Sequence, residues 1–130
     1  MGPVNWLAVV LAAALAVAAG VVWNTVLFRD GRQIVPGSSE RAGGYITMAV
    51  VFLISAAMLG HALARIGAET LAAKPWLYFM QSGGLAIAFV MPAVWLTHSR
   101  SRTEPARRVI DCAFWLVAYL AMGLVFWVFG

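Results

Sequence analysis

Residues 100–111 read Arg-Ser-Arg-Thr-Glu-Pro-Ala-Arg-Arg-Val-Ile-Asp, a basic connector that runs straight into an apolar segment reaching Phe129. It holds four of the nine Lys and Arg residues, and its last member, Asp111, is the one carboxylate carried into an apolar run. Thr103 suits a helix N-cap, with Glu104 and Pro105 in the first turn, so the last helix starts before the hydrocarbon does. Dense charge in short connectors beside long charge-free stretches is a membrane pattern, because a charge in the bilayer core costs at least ~2.5–3.5 kcal/mol.

The composition agrees. Of 130 residues, 63% are hydrophobic and 11% charged, against about half and a quarter in soluble domains. The length allows one domain, 1–130. The charge-free stretches predict an all-α membrane protein, an up-down bundle of four transmembrane helices spanning 4–28, 44–64, 75–96 and 109–129. The first run, 25 residues without a charge, is ~37 Å long as a helix and crosses a ~30 Å core with some tilt. It has no Lys or Arg ahead of it and outlasts the ~7–15-residue core of a cleaved signal, so it reads as a retained span.

In the first span Asn5, Ala12, Ala16 and Trp23 share a stripe, with Ala8 and Gly20 beside it, while Leu7, Val10, Val17 and Val21 lie opposite. Small residues every four positions let helix backbones approach closely in lipid, which assigns the first set to helix contacts and the second to acyl chains. Gly60, flanked by Ala56 and Ala64, makes a similar ridge in the second span. In the third, Gln81, Gly84, Ala88, Pro92 and Trp95 fall on one face. Pro92 withholds a hydrogen bond from the Ala88 carbonyl and predicts a kink there. Either a bundle-facing groove or a neighbouring helix occupies that face.

Loops one and three carry Arg29, Arg32, Arg41, Arg100, Arg102, Arg107 and Arg108, against Arg65 and Lys74 opposite. The positive-inside rule then places both termini outside the cytoplasm. Trp6, Trp76, Tyr78 and Trp127 fall near the outer interface, Trp23, Tyr45 and Trp95 near the inner.

The opening Val4-Asn5-Trp6-Leu7-Ala8-Val9, then Gly20-Val21-Val22-Trp23 and Leu27-Phe28, and at the far end Val109-Ile110-Asp111, Trp115-Leu116-Val117 and Met122-Gly123, resemble a bacterial family of small membrane proteins, domain of unknown function 1761. The chain departs from it at Asn24 and Val26, where members carry an aromatic residue and a proline. The resemblance implies a four-helix protein of the bacterial inner membrane and carries no assigned activity.

Asp111 follows Arg107 and Arg108 by one helical turn, so both arginines can reach it, and Asn24 can meet it from the first helix. This is either an ion pair that fixes where the last helix enters the membrane, or a proton or cation site. His61 lies ~25 Å along the second helix from Gly44, at the far end from Asp111, and no His/Asp dyad is expected in the chain. His61, Gln81 and Asn5 form a second candidate cluster, or His61 is simply interfacial. Cys112 is the single cysteine, so neither a disulfide nor a metal-ligand spacing arises, and no nucleophile, phosphate or zinc motif is present. The expectation is therefore a non-enzyme without cofactor or metal, whose partners are membrane lipid and either its own copies or a larger membrane complex, not nucleic acid. It would serve helix association or act as an accessory subunit; the alternative is a small transporter or channel-like protein.

Overall fold

The computed structural model describes residues 3–23 and 41–129, with side chains from 44 onward in the second stretch. The end of the first span, Asn24 and the first loop lie outside the described residues. What is described is helical: α1 (Trp6–Val22), α2 (Arg41–Ile66), α3 (Ala68–Ala73), α4 (Trp76–Leu85), a π-helical turn (Ala86–Val90), α5 (Met91–Arg100) and α6 (Pro105–Phe129). Gly44–Ile66, Trp76–Arg100 and Pro105–Phe129 are long and apolar enough to cross a membrane, and Trp6–Val22 is a shorter apolar helix.

Contacts at the two ends set the directions. At one, the Asn5 side-chain Nδ2 donates to the Phe129 carbonyl at 2.7 Å and the Trp6 and His61 rings meet edge-on at 5.7 Å. Phe79 meets Trp127 there at 6.0 Å. At the other end Trp23 packs on Phe114 at 5.8 Å. Successive long helices therefore run antiparallel. α6 is the centre, packed against α1 on one side and against α4 and α5 on the other, and α1 also packs on α2. α2 touches α4 but makes no comparable contact with α5, so the third and second helices splay apart toward the end that holds Asp111.

Helices in lipid gain little from apolar burial as such, since acyl chains are as apolar as leucine; close packing decides the contacts. Ala8, Ala12 and Ala16 are fully buried in the α1 seam, and a Cβ on Gly20 would stand 2.7 Å from Met48 Sδ. On Gly60 it would meet Val9 Cγ2 at 3.0 Å. The tightest approach is between α4 and α6, where a Cβ on Gly123 would overlap Ser82 Oγ. Ser82 returns its hydroxyl to the Tyr78 carbonyl at 2.9 Å, so no buried polar atom is stranded there. Phe52 and Phe114 fill the centre at 6.0 Å, fully buried.

Three expectations are corrected. Gly84 does not pack: it is exposed and a Cβ there would meet nothing within 4 Å, whereas its neighbour Gly83 is buried against Leu120. Ala88, Pro92 and Trp95 are exposed with it, so that face looks outward, and Pro92 and Trp95 border an open, shallow groove of about 440 Å³ against Val109, Cys112 and Leu116 of α6. Val17, assigned to lipid, is half-buried against the core.

The third helix also runs to Arg100 instead of ending at Leu96. In place of a simple kink at Pro92, the turn before it widens, and Met91 donates five residues back to Ala86. A widened turn absorbs the strain of a proline that cannot donate. The positions turned inward, Tyr78, Ser82, Ala86, Val90, Val94 and His98, are all buried or half-buried and recur every four residues. In an unbroken α-helix such a stripe drifts ~40° at each step. The π turn takes up part of that drift and keeps His98 on the side facing α6.

Candidate functional site

The connector between α5 and α6 is tied down before it reaches the site. Ser99 and Ser101 return their hydroxyls to the carbonyls of Trp95 and Thr97 at 2.9 and 3.1 Å, carrying α5 past its apolar part. Arg102 takes a left-handed conformation, φ 56°, and lets Thr103 donate its N–H to the His98 carbonyl at 2.9 Å. Pro105 then opens α6, where a missing N–H costs nothing. This tight return places the last turn of α5 beside the first turns of α6.

There His98 Nε2 donates to Asp111 Oδ2 at 2.6 Å. Arg107 Nε lies 3.2 Å from Asp111 Oδ1, one turn back on the same helix. That contact has ion-pair reach without hydrogen-bond alignment, and Oδ1 is buried with no hydrogen bond among the described residues. The side chains are little exposed: His98 25%, Asp111 11% and Arg107 10%. The expected absence of a His/Asp dyad is overturned. A third span that closes at Leu96 leaves His98 in a connector, whereas α5 carries it to Arg100 as part of the helix. The missed signal was its closeness in sequence to Asp111 across a short, Ser- and Pro-bearing turn.

Arg108 does not join Asp111. Its Nε donates to the Thr103 carbonyl at 2.9 Å and its guanidinium lies 5.4 Å over the Trp95 ring, a cation–π contact that holds the connector from outside. The two adjacent arginines thus point to opposite sides of α6.

The dyad faces a cleft of about 720 Å³ between α5 and α6, whose mouth carries Arg102, Thr103 and Glu104 and whose inner walls are Ala93, Val94 and Trp115. Here a paired carboxylate, a histidine and an arginine meet open space, an arrangement able to exchange a proton or hold a charged group.

The second candidate cluster is occupied otherwise. His61 Nδ1 pairs with the Ala57 carbonyl on its own helix at 2.8 Å. The Asn5 side-chain oxygen Oδ1 accepts from the Ala8 N–H at 3.2 Å, as an N-cap does. Gln81 is half-exposed on α4, and the described hydrogen bonds of Asn5 and His61 go to neither it nor each other. Asn24 lies outside the described residues. No group of three or more His, Cys, Asp or Glu side chains suited to a metal occurs among the described residues.

A family model described as "Protein of unknown function (DUF1761)" matches residues 7–127. No curated protein and no solved structure matches the chain.

Proposed function

The chain belongs to the DUF1761 family, and from that membership and the cleft beside His98 we propose a four-span protein of the bacterial inner membrane that binds a solute there, without catalysis, in the manner of a small transporter. The observation that carries this reading is Asp111, a buried carboxylate met on one oxygen by His98 and on the other by Arg107, at the wall of an open cleft. Ionisable groups inside a membrane bundle are costly and mark sites of function.

α1 counts as the fourth span in this reading, because the charge-free run continues past its described end to Phe28. The excess of arginine in loops one and three supports termini outside the cytoplasm and a cleft that opens inward. The test is Val94→Cys in a Cys112→Ser background. An impermeant maleimide should label it in inside-out vesicles and not in right-side-out ones; no labelling in either would mean a closed cleft and end this reading.

A second reading, helix association with another copy or as an accessory subunit, is supported by the exposed small face of Gly84, Ala88 and Pro92. Small residues there would admit another helix closely. A stoichiometric partner retained through purification in mild detergent would favour it.

A further inference from the structure

His98 is held by one side of its ring. Nε2 donates to Asp111 Oδ2 at 2.6 Å, and among the described residues the His98 side chain makes no other hydrogen bond. The ring lines the cleft of about 720 Å³, and 25% of the side chain is exposed against 11% for Asp111. The histidine, not the carboxylate, is thus the member of the pair that meets open space. The hydrogen bond also fixes which nitrogen can take a proton. A carboxylate only accepts, so an ionised Asp111 selects the neutral imidazole with its hydrogen on Nε2, and the lone pair lies on Nδ1. Arg107 Nε stands 3.2 Å from Asp111 Oδ1 on the other side. A proton placed on Asp111 would weaken its contacts with Arg107 and His98 alike, whereas a proton placed on Nδ1 leaves both in place.

The charges around the ring come from three places. α6 supplies Arg107 and Asp111, the connector supplies Arg102 and Glu104, and on its own helix Arg100 is exposed and does not line the cleft. α2 makes no comparable contact with α5 and adds no charge to the described lining. The two arginines of the lining balance its two acids. The net charge of the described lining is therefore that of His98, none for the imidazole and one positive for the imidazolium. A charged solute would bind those two forms unequally, and by linkage its binding and the proton's are coupled.

We propose that His98 is the proton-binding residue of the cleft, taking a proton at Nδ1, while Asp111 stays ionised as its positioning residue. In the step, hydronium in the cleft gives its proton to the Nδ1 lone pair and leaves as water. The hydrogen bond from Nε2 to Asp111 is kept, and the imidazole becomes imidazolium. The proposal rests on the open cleft of the preceding reading and names the proton as what is exchanged there.

The chain has two histidines, so the full chain labelled with nitrogen-15 histidine and purified in mild detergent gives two rings by NMR, assigned with His61→Gln. His61 is the internal reference. Its Nδ1 pairs with the Ala57 carbonyl at 2.8 Å, and a carbonyl only accepts, so neutral His61 carries its hydrogen on Nδ1. Neutral His98 should show the opposite tautomer, with hydrogen on Nε2. As the pH is lowered from about 10 to about 4, a range that covers perturbed histidines, His98 Nδ1 should gain a proton while Nε2 keeps its own. Asp111→Asn offers the ring either an amide oxygen or an amide N–H, so neutral His98 should lose its single tautomer; circular dichroism checks that this variant is folded. A neutral His98 with its hydrogen on Nδ1, a ring that takes no proton across that range, or an unchanged tautomer in folded Asp111→Asn would each overturn the proposal. If Val94→Cys is labelled from the cytoplasmic side while His98 takes no proton, the proton site fails and the open cleft stands.

Discussion

His98 Nε2 meets Asp111 Oδ2 at 2.6 Å and, across a separation of 13 residues, joins the last turn of α5 to the first turns of α6. The contact is largely shielded from solvent, which raises what its loss should cost. Replacing Asp111 with Ala leaves Arg107 and His98 facing an uncompensated pocket and should destabilise the fold by about 3–5 kcal/mol. His98→Ala removes one hydrogen bond to a charged group, about 1.5–3 kcal/mol, and leaves the Arg107 pair intact. Denaturation in detergent measures both. Equal losses would mean that Arg107 contributes nothing to holding Asp111.

The α4–α6 seam yields a sharper contrast. Gly123→Ala drives a methyl into Ser82 Oγ and to within 3.1 Å of the Tyr78 carbonyl, so the helices must separate, at about 1–3 kcal/mol. Gly84→Ala meets open space and, on a helix, should be neutral or slightly stabilising, by up to about 1 kcal/mol. Melting temperatures of the two variants in one detergent decide; a fall at Gly84 would mean that its face is covered.

On α1, Ala16 is fully buried and Val10 is 56% exposed. Ala16→Leu should lower the melting temperature, because overpacking a tight seam costs about 1–3 kcal/mol. Val10→Leu adds its bulk toward acyl chains and should leave the melting temperature alone. Similar effects at both positions would place the wrong side of α1 in the bundle.

Orientation has its own check. With a Cys112→Ser background, Ser101→Cys should react with an impermeant thiol reagent from the cytoplasmic side only. Reaction from the opposite side would invert the bundle and put the cleft outside.

Much of this was legible from residue type. Charge-free runs announce helices for the membrane, and small residues every four positions in the first span mark the buried Ala8, Ala12, Ala16 and Gly20, because close approach in lipid selects size. The third helix was legible only in part. Small size suggests a helix contact for Gly84, but its whole face, with Ala88, Pro92 and Trp95, turns outward, and a span closed at Leu96 leaves His98 unassigned. Single positions at element ends are also hard to read, since the serine hydroxyls that extend α5 to Arg100 belong equally to turns. Arg107 and Arg108, indistinguishable by spacing, are separated by tertiary partners: a carboxylate for one, the Trp95 ring for the other.

The π turn at Ala86–Val90 sets the phase between the two halves of the third helix. Each residue in a helix advances the side chains by ~100° and ~1.5 Å. The wide turn spends about one residue more than an ordinary α-helical turn on nearly the same rotation. Winding the same residues as unbroken α-helix would keep α4 seated on α6 and swing everything after the turn by up to about a quarter-revolution, carrying His98 off Asp111. Deleting one residue there would instead let the turn close and leave His98 in nearly its present phase. The histidine's aim is thus encoded ten residues upstream of it, in how widely one turn is wound.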